Sequence, residues 1–139
     1  MAPKGKTIGE LKVGDCAETS RTITEHDVYT FAGLSGDLNP AHIDQEYAKG
    51  TFFKTRIAHG LISAGLVSAV LGMQLPGPGT IWLTQVLNFK APVRIGDTIT
   101  ARVEVAEIME KSVRLKTTCT NQEGVVVLDG EALVSPPRK

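Results

Sequence analysis

Residues 57–75 read IAHGLISAGLVSAVLGMQL, a nearly unbroken apolar stretch that the breaker PGPG at 76–79 brings to an end. From Leu61 to Leu75 the stretch has only about 15 residues, and at a rise of about 1.5 Å per residue it is too short to cross a hydrocarbon core of about 30 Å. A helix that is apolar nearly all round and does not span a membrane is a buried one. The sequence therefore predicts one long central helix and no transmembrane segment.

After PGPG the apolar residues recur with period two, which is typical of half-buried strands. NQEG at 121–124 supplies a reversal, and a last strand follows within residues 124–135. Each of the three earlier segments is expected to direct one apolar set to one face: Ile81, Leu83, Leu87 and Phe89; Ile99, Ala101, Val103 and Val105; Val113, Leu115, Thr117 and Cys119. The C-terminal half is thus predicted to be an antiparallel meander.

Ahead of the long helix the sequence predicts a strand at roughly 16–23 and a short helix that opens at Thr24, with Asp27 completing a capping box. LKVGDC and VRIGDT share a Gly-Asp turn before a strand, which indicates recurring hairpin chemistry. One long apolar helix and about five strands predict an α+β fold. We expect a single hot-dog domain over residues 1–139, in which a curved antiparallel sheet wraps the central helix.

Charge and cysteine content narrow the classes of function. Fifteen Lys and Arg balance fifteen Asp and Glu, so no broad basic surface is expected, and neither a nucleic-acid nor a membrane partner is predicted. The chain has two cysteines and opens MAPKGKTIGE, without the apolar core of a secretory signal. These features favour a cytoplasmic protein with reduced thiols.

The loop at 35–44, SGDLNPAHID, carries the chemistry best suited to proton transfer. Asp37 and His42 can act as acid and base near neutral pH, and Asn39-Pro40 stiffens the link between them because proline fixes its own φ and restricts the preceding residue. The structural alternative is that Asp37 caps a turn and His42 is a loop histidine whose hydrogen bonds are satisfied. As a set, the residues favour a site that activates one water molecule.

Gly60 adds a third element, because it is expected to begin the long helix. Unpaired main-chain N–H groups and the positive end of the helix dipole meet at such a terminus, where they can hold a carbonyl oxygen that becomes an enolate. The alternative is an ordinary glycine at a helix start. With Asp37 and His42, Gly60 would complete an acid, a base and an oxyanion hole.

Residues 31–60, FAGLSGDLNPAHIDQEYAKGTFFKTRIAHG, resemble the hydratase-2 motif of the MaoC-like family, which contains the (R)-specific enoyl-CoA hydratases. GTIWLTQVLNFKAPVRIGD at 79–97 is similar to the strand and turn that follow the helix in that family. The resemblance assigns these roles: Asp37 the catalytic base, His42 the catalytic acid, Gly60 the carbonyl-binding amide, Asn39 the support of the loop, Ser68 a position near the catalytic pair or the acyl tunnel, and Leu71 the tunnel's end.

The reaction that the resemblance implies is reversible syn hydration of a trans-2-enoyl-CoA to the (R)-3-hydroxyacyl-CoA, with no metal or redox cofactor. The leucine at position 71 predicts short acyl chains of about four to six carbons. A homodimer is implied, with the acyl-CoA near the subunit boundary. A metal site at His42, Asp44 and His59 is the alternative to water chemistry alone. Four basic residues are candidates for the CoA phosphates: Lys54, Arg56, Lys90 and Arg94.

Three rival functions remain open. A dehydratase acting on carrier-protein substrates would run the same chemistry in reverse. A hot-dog thioesterase would need a carboxylate on or beside the central helix, and residues 61–75 contain no Asp or Glu. A non-catalytic acyl-CoA sensor would need neither Asp37 nor His42.

Overall fold

The computed structural model describes residues 2–139. In chain order the elements are a 3-10 turn (Ile8–Glu10), β1 (Cys16–Thr22), α1 (Glu25–Ser35), α2 (Pro40–Ile43), α3 (Gln45–Lys49), α4 (Gly60–Met73), β2 (Ile81–Phe89), β3 (Thr98–Ile108), β4 (Val113–Thr120) and β5 (Val126–Ser135). The strands form one antiparallel sheet in the order β1-β3-β4-β5-β2, and α4 packs against β1, β3 and β4. The predicted α+β hot-dog fold is confirmed. No helix within residues 2–139 has the length and apolar character needed to cross a membrane.

The predicted meander is correct for β3, β4 and β5 and wrong for β2. Strand β2 does not pair with β3, its successor in sequence, but with β5 at the far edge of the sheet. Both edges of β3 are already occupied, by β1 on one side and β4 on the other. Strand β2 pairs along the edge of β5 that β4 does not occupy, which makes β2 an edge strand, as β1 is at the other end of the sheet.

The predicted apolar face of β2 is also wrong at its first half. The pairing with β5 shifts between Trp82 and Thr84, so Leu83 is an extra, bulged residue. Because a one-residue slip reverses the faces, Trp82 now pairs with the buried Val134, whereas Ile81 pairs with Ser135. A period-two count across a bulge assigns the residues on one side of it to the wrong face.

The predicted faces of β3 and β4 are confirmed and form the core with α4. All eight side chains on them are buried, none more than 1% exposed: Ile99, Ala101, Val103, Val105, Val113, Leu115, Thr117 and Cys119. Burial raises the pKa of the Cys119 thiol to about 12. Cys16 and Cys119 are both free, and Cys16 is exposed.

The sequence predicts that the long helix is buried on all sides, but in a single chain α4 is buried on one side only. Its buried residues are Ser63, Ala64, Val67, Val70 and Leu71. The opposite side is open to solvent and carries Leu61, Gly65, Ser68, Ala69 and Met73. A single chain therefore leaves part of the apolar surface of α4 exposed to solvent.

The local turn chemistry follows the sequence. Helix α1 begins with the predicted capping box, in which the Thr24 hydroxyl and the Asp27 carboxylate each accept the other's main-chain N–H. The two Gly-Asp turns have the same geometry: Asp15 accepts from the amide of Lys12 and Asp97 from that of Arg94, both at 2.9 Å. Gly14 and Gly96 supply the left-handed backbone, with φ of 94° and 99°.

Candidate active site

Two short helical turns after α1 fix the loop that holds the predicted catalytic pair. Gly36 ends α1 with φ of 78°, and Asn39 then caps α2 by accepting the amide hydrogen of Ala41 at 3.0 Å. Pro40 occupies the first position of α2, where its missing N–H costs no hydrogen bond. Asn39 thus shapes the loop between Asp37 and His42 through a local hydrogen bond.

His42 faces the pocket through one defined nitrogen. Its Nδ1 lies 2.7 Å from the main-chain oxygen of Ile57, just before α4. Because a carbonyl oxygen only accepts, Nδ1 carries a hydrogen and donates it. Nε2 is therefore the nitrogen of His42 left for a reacting group.

Asp37 lines the same pocket as His42, with its side chain half exposed. One carboxylate oxygen, Oδ1, accepts the amide hydrogen of Asn39 at 3.2 Å, which orients the group. Ligand atoms of Asp37, His42 and His59 all lie within 4.8 Å of one another. One water with two hydrogen bonds of about 2.8 Å can bridge groups at that separation.

Gly60 begins α4 and presents unpaired amides. The preceding residue, His59, makes no side-chain capping hydrogen bond. Within residues 2–139 the N–H groups of Gly60 and Leu61 have no acceptor. A Cβ at position 60 would lie 2.5 Å from Cε1 of Phe89, so the ring packs directly over the glycine. Only glycine leaves the Phe89 ring in this position and the amide approachable.

A pocket of about 490 Å³ joins these groups. Asp37, His42 and Gly60 all line it, so the structure brings the three predicted reacting groups together. Ser68 and Leu71 do not line it: Ser68 lies on the open side of α4, and Leu71 is 2% exposed within the core. The remaining lining is mostly apolar and is given by Phe31, Phe53, Ile57, Ala58, His59, Leu61, Ser63, Phe89, Lys90, Ala91, Pro92, Val93, Val127 and Leu128.

His59, which the sequence suggested only as a metal ligand, is buried against both Asp37 and His42. Its ring stacks on His42 with centroids 3.8 Å apart, and its Nε2 lies 2.9 Å from the main-chain oxygen of Asp37. The one feature of the sequence that could have indicated a place for His59 in the site is that it immediately precedes Gly60. Asp44, weighed with it, is instead the cap of α3 and accepts the amides of Glu46 and Tyr47.

The basic candidates for CoA phosphates fall into different environments. Lys90 lines the pocket. Arg56 is engaged elsewhere, since it donates to Glu25 at 2.6 Å and to the hydroxyl of Tyr29 at 3.1 Å. The hydrogen bond from Arg56 holds the pKa of the Glu25 carboxyl below its ordinary value. Arg56 therefore ties α1 to the segment before α4 and is a poor candidate for phosphate.

Comparison with known proteins places these residues in a family. The model of the MaoC like domain matches residues 12–127. An (R)-specific enoyl-CoA hydratase of Rhodospirillum rubrum is 55% identical over 94% of this chain and 91% of its own length. A 3-hydroxybutyryl-CoA dehydratase of Methylorubrum extorquens is 51% identical over 94% of this chain and 83% of its own. The unliganded R-hydratase PhaJ1 of Pseudomonas aeruginosa superimposes with a TM-score of 0.94 at 46% identity, over 98% of this chain and 88% of that one.

Proposed function

Because this chain belongs to the MaoC-like domain family, we propose that it is an (R)-specific enoyl-CoA hydratase, a hydro-lyase that adds water reversibly to trans-2-enoyl-CoA. The observation that carries the proposal is the convergence of a carboxylate, an imidazole and an unpaired helix-terminal amide on one pocket. The relatives that are more than half identical over most of their length are named for this reaction or its reverse.

The arrangement supplies each proton that the reaction moves. The oxygen of a water held between Asp37 and His42 attacks C3, and Asp37 takes one of its protons. His42 acts in this step as the imidazolium, with its Nδ1–H donated to Ile57 and a second hydrogen on Nε2, and it gives the Nε2 proton to C2 on the same face, so the addition is syn. The proton on Asp37 then returns to His42, which restores the pair with the atoms of one water added to the substrate.

The Gly60 amide acts on the charge that develops during this step. As the C2–C3 bond is attacked, the thioester oxygen gains the negative charge of an enolate. An unpaired N–H at the positive end of α4 is preorganised to receive that charge without rearrangement. Loss of one such donor typically lowers turnover by about 10² to 10³.

The chemistry proceeds without a metal or redox cofactor, because the pair and the amide already account for every proton and charge. The alternative is a metal site in which Asp37, His42 and His59 bind a cation, since their ligand atoms lie close together. Dialysis against a chelator, followed by an activity assay, separates the two. Activity that is lost with chelator and restored by zinc or iron would contradict the metal-free mechanism.

The substrate is a short-chain acyl-CoA. Support comes from the Methylorubrum extorquens relative, which is named for a four-carbon substrate. Leu71 on α4 is predicted to end the acyl tunnel because its side chain is bulky. It is buried in the core of one chain, so a tunnel that reaches it requires the core to open locally.

The protein is a homodimer built on the open edge of β2. An apolar edge strand exposes unpaired main-chain groups and invites pairing with a second chain. The apolar side chains that remain exposed on β2 and on the open side of α4 are Ile81, Trp82, Leu83, Val86, Phe89, Leu61 and Met73. Light scattering at micromolar concentration should give twice the mass of one chain, and Val86→Lys should shift it towards the monomer. A wild-type monomer would contradict the proposal.

The protein acts in the cytoplasm, where an exposed thiol such as Cys16 and a free Cys119 stay reduced. Titration of both thiols in the unfolded protein purified without reductant checks this, since a disulfide would remove both signals.

One assay with crotonyl-CoA separates the functions. Loss of the conjugated enoyl absorbance without free thiol is expected for a hydratase, and chiral analysis should give the (R)-3-hydroxy product. Thiol release without hydration would indicate a thioesterase, and neither signal would indicate an acyl-CoA sensor. Parallel rates with crotonyl-carrier protein test the dehydratase alternative, which a large preference for the carrier-bound substrate would support.

A further inference from the structure

His59 occupies a position between the two groups proposed to transfer protons. Its side chain is 3% exposed and lies between the ring of Phe31, with centroids 4.7 Å apart, and that of His42, with centroids 3.8 Å apart. The planes of His59 and His42 are inclined by only 29°, so the rings are stacked. The two rings therefore restrict each other's rotation.

The hydrogen bond of His59 reaches the other member of the pair. Its Nε2 lies 2.9 Å from the main-chain oxygen of Asp37, and a carbonyl oxygen accepts, so Nε2 carries the hydrogen. The Asp37 carboxylate is farther away, with Oδ2 at 3.9 Å. His59 thus anchors the main chain of Asp37 and leaves its carboxylate to the pocket.

The second nitrogen of His59 shows that this side chain is poorly suited to a purely packing role. Nδ1 is buried and has no hydrogen-bond partner within residues 2–139. A buried polar atom without a partner destabilises a fold, and a phenylalanine would fill the same aromatic stack without that cost. Costly side chains of this kind are typical of functional positions.

We infer that His59 is a positioning residue that aligns the catalytic pair: its Nε2–H fixes the Asp37 loop while its ring holds the His42 imidazole with Nε2 directed into the pocket. The inference rests on the proposed hydratase function. An error of about 1 Å between reacting groups can cost about 10² in rate, so modest contacts at this position have a large effect on turnover. The effect falls on kcat, because His59 orients the reacting groups and leaves the rest of the acyl-CoA site unchanged.

Two variants separate the two contacts of His59. His59→Phe keeps the aromatic stack and removes the donor to Asp37, whereas His59→Gln keeps an amide donor and removes the stack. Both are expected to fold, with a Tm for His59→Phe near or above that of wild type, and each is expected to lower kcat at least tenfold with KM within about threefold. His26→Gln is the matched control, since His26 is exposed on α1 and kcat should not change.

Nitrogen NMR of the histidine rings gives a readout that does not depend on activity. In wild type at a pH where the rings are neutral, the hydrogen should reside on Nδ1 of His42 and on Nε2 of His59. Loss of the stack in His59→Gln should let the His42 ring turn and populate its other tautomer, whereas His59→Phe and His26→Gln should leave it unchanged.

Several results would overturn the inference. The inference would be refuted if His59→Phe and His59→Gln both fold and keep kcat within twofold of wild type. It would also be refuted if kcat/KM falls only because KM rises. If neither variant folds, the wild-type spectrum still decides, because the opposite tautomers would refute the geometry. If the wild-type protein does not hydrate crotonyl-CoA but its histidine tautomers are as expected, the proposed function is refuted and the geometry around His59 is not.

Discussion

Gly60→Ala tests the helix terminus that is proposed to hold the thioester oxygen. A Cβ at this position would lie 2.5 Å from Cε1 and 2.8 Å from Cδ1 of Phe89, against about 3.5 to 4.0 Å for ordinary carbon contacts. The ring must therefore retreat by about 1 Å. Phe89 lies on the edge strand β2 and is 56% exposed in a single chain, so its movement does not disturb the core of that chain. We expect Gly60→Ala to fold with nearly wild-type stability.

Activity should fall steeply nonetheless. The new methyl group and the displaced ring stand where the substrate carbonyl must approach the Gly60 amide. We expect kcat for crotonyl-CoA hydration to drop by about 10², which corresponds to about 2.7 kcal/mol of lost transition-state stabilisation. Gly33→Ala is the control: this glycine is exposed in the interior of α1, a Cβ there meets nothing within 4 Å, and activity should stay at the wild-type level.

A double variant separates the two causes of the loss. Gly60→Ala combined with Phe89→Ala removes the ring that the methyl displaces, and it is compared with Phe89→Ala alone. If blocked access to the amide is the cause, the double variant stays about 10² below the Phe89→Ala enzyme. Recovery to the Phe89→Ala level, or a Gly60→Ala enzyme within threefold of wild type, would refute the role of the amide.

Three further predictions concern the pair, an ion pair and the tunnel. Asp37→Asn and His42→Ala should each lower kcat by about 10² or more, with the double variant little worse; near-normal turnover in Asp37→Asn would contradict its role. Arg21 lowers the pKa of the Asp27 carboxyl from 3.8 to about 2, so the stability gained from this pair is complete above about pH 4 and is lost as the pH falls towards 2. Because Arg21 is 55% exposed, we expect the ion pair to contribute only about 1 kcal/mol to the free energy of unfolding. In urea unfolding, the difference in stability between wild type and Asp27→Asn should shrink from about pH 5 to about pH 2.5. An equal difference at both pH values would contradict the prediction. Leu71→Ala should cost about 2 to 5 kcal/mol of unfolding free energy and extend activity from crotonyl-CoA towards octenoyl-CoA, and an unchanged chain-length profile would remove Leu71 from the tunnel.

Much of the site could be predicted because its residues are close in sequence. Asp37, Asn39 and His42 share a loop whose shape is set by local hydrogen bonds and by proline, and Gly60 follows a short connection at the start of the long helix. The role of His59 could not be predicted in this way. Its contacts are with Phe31, Asp37 and His42, which lie 17 to 28 positions earlier in the chain, and only the fold brings them together.

By itself, the sequence determined the strand segments, the helices α1 and α4, the faces of β3 and β4, the capping box of α1 and the two Gly-Asp turns, whereas the short helices α2 and α3 were not predicted. Each of these depends on periodicity or on hydrogen bonds within a few residues, which act before any long-range contact forms. Only the tertiary structure decided that β2 lies beside β5, that a bulge at Leu83 reverses its first residues, and that one side of α4 stays open. A strand's pattern specifies which side chains are apolar, but its neighbour and register depend on contacts with residues far away in the sequence, which the pattern does not contain.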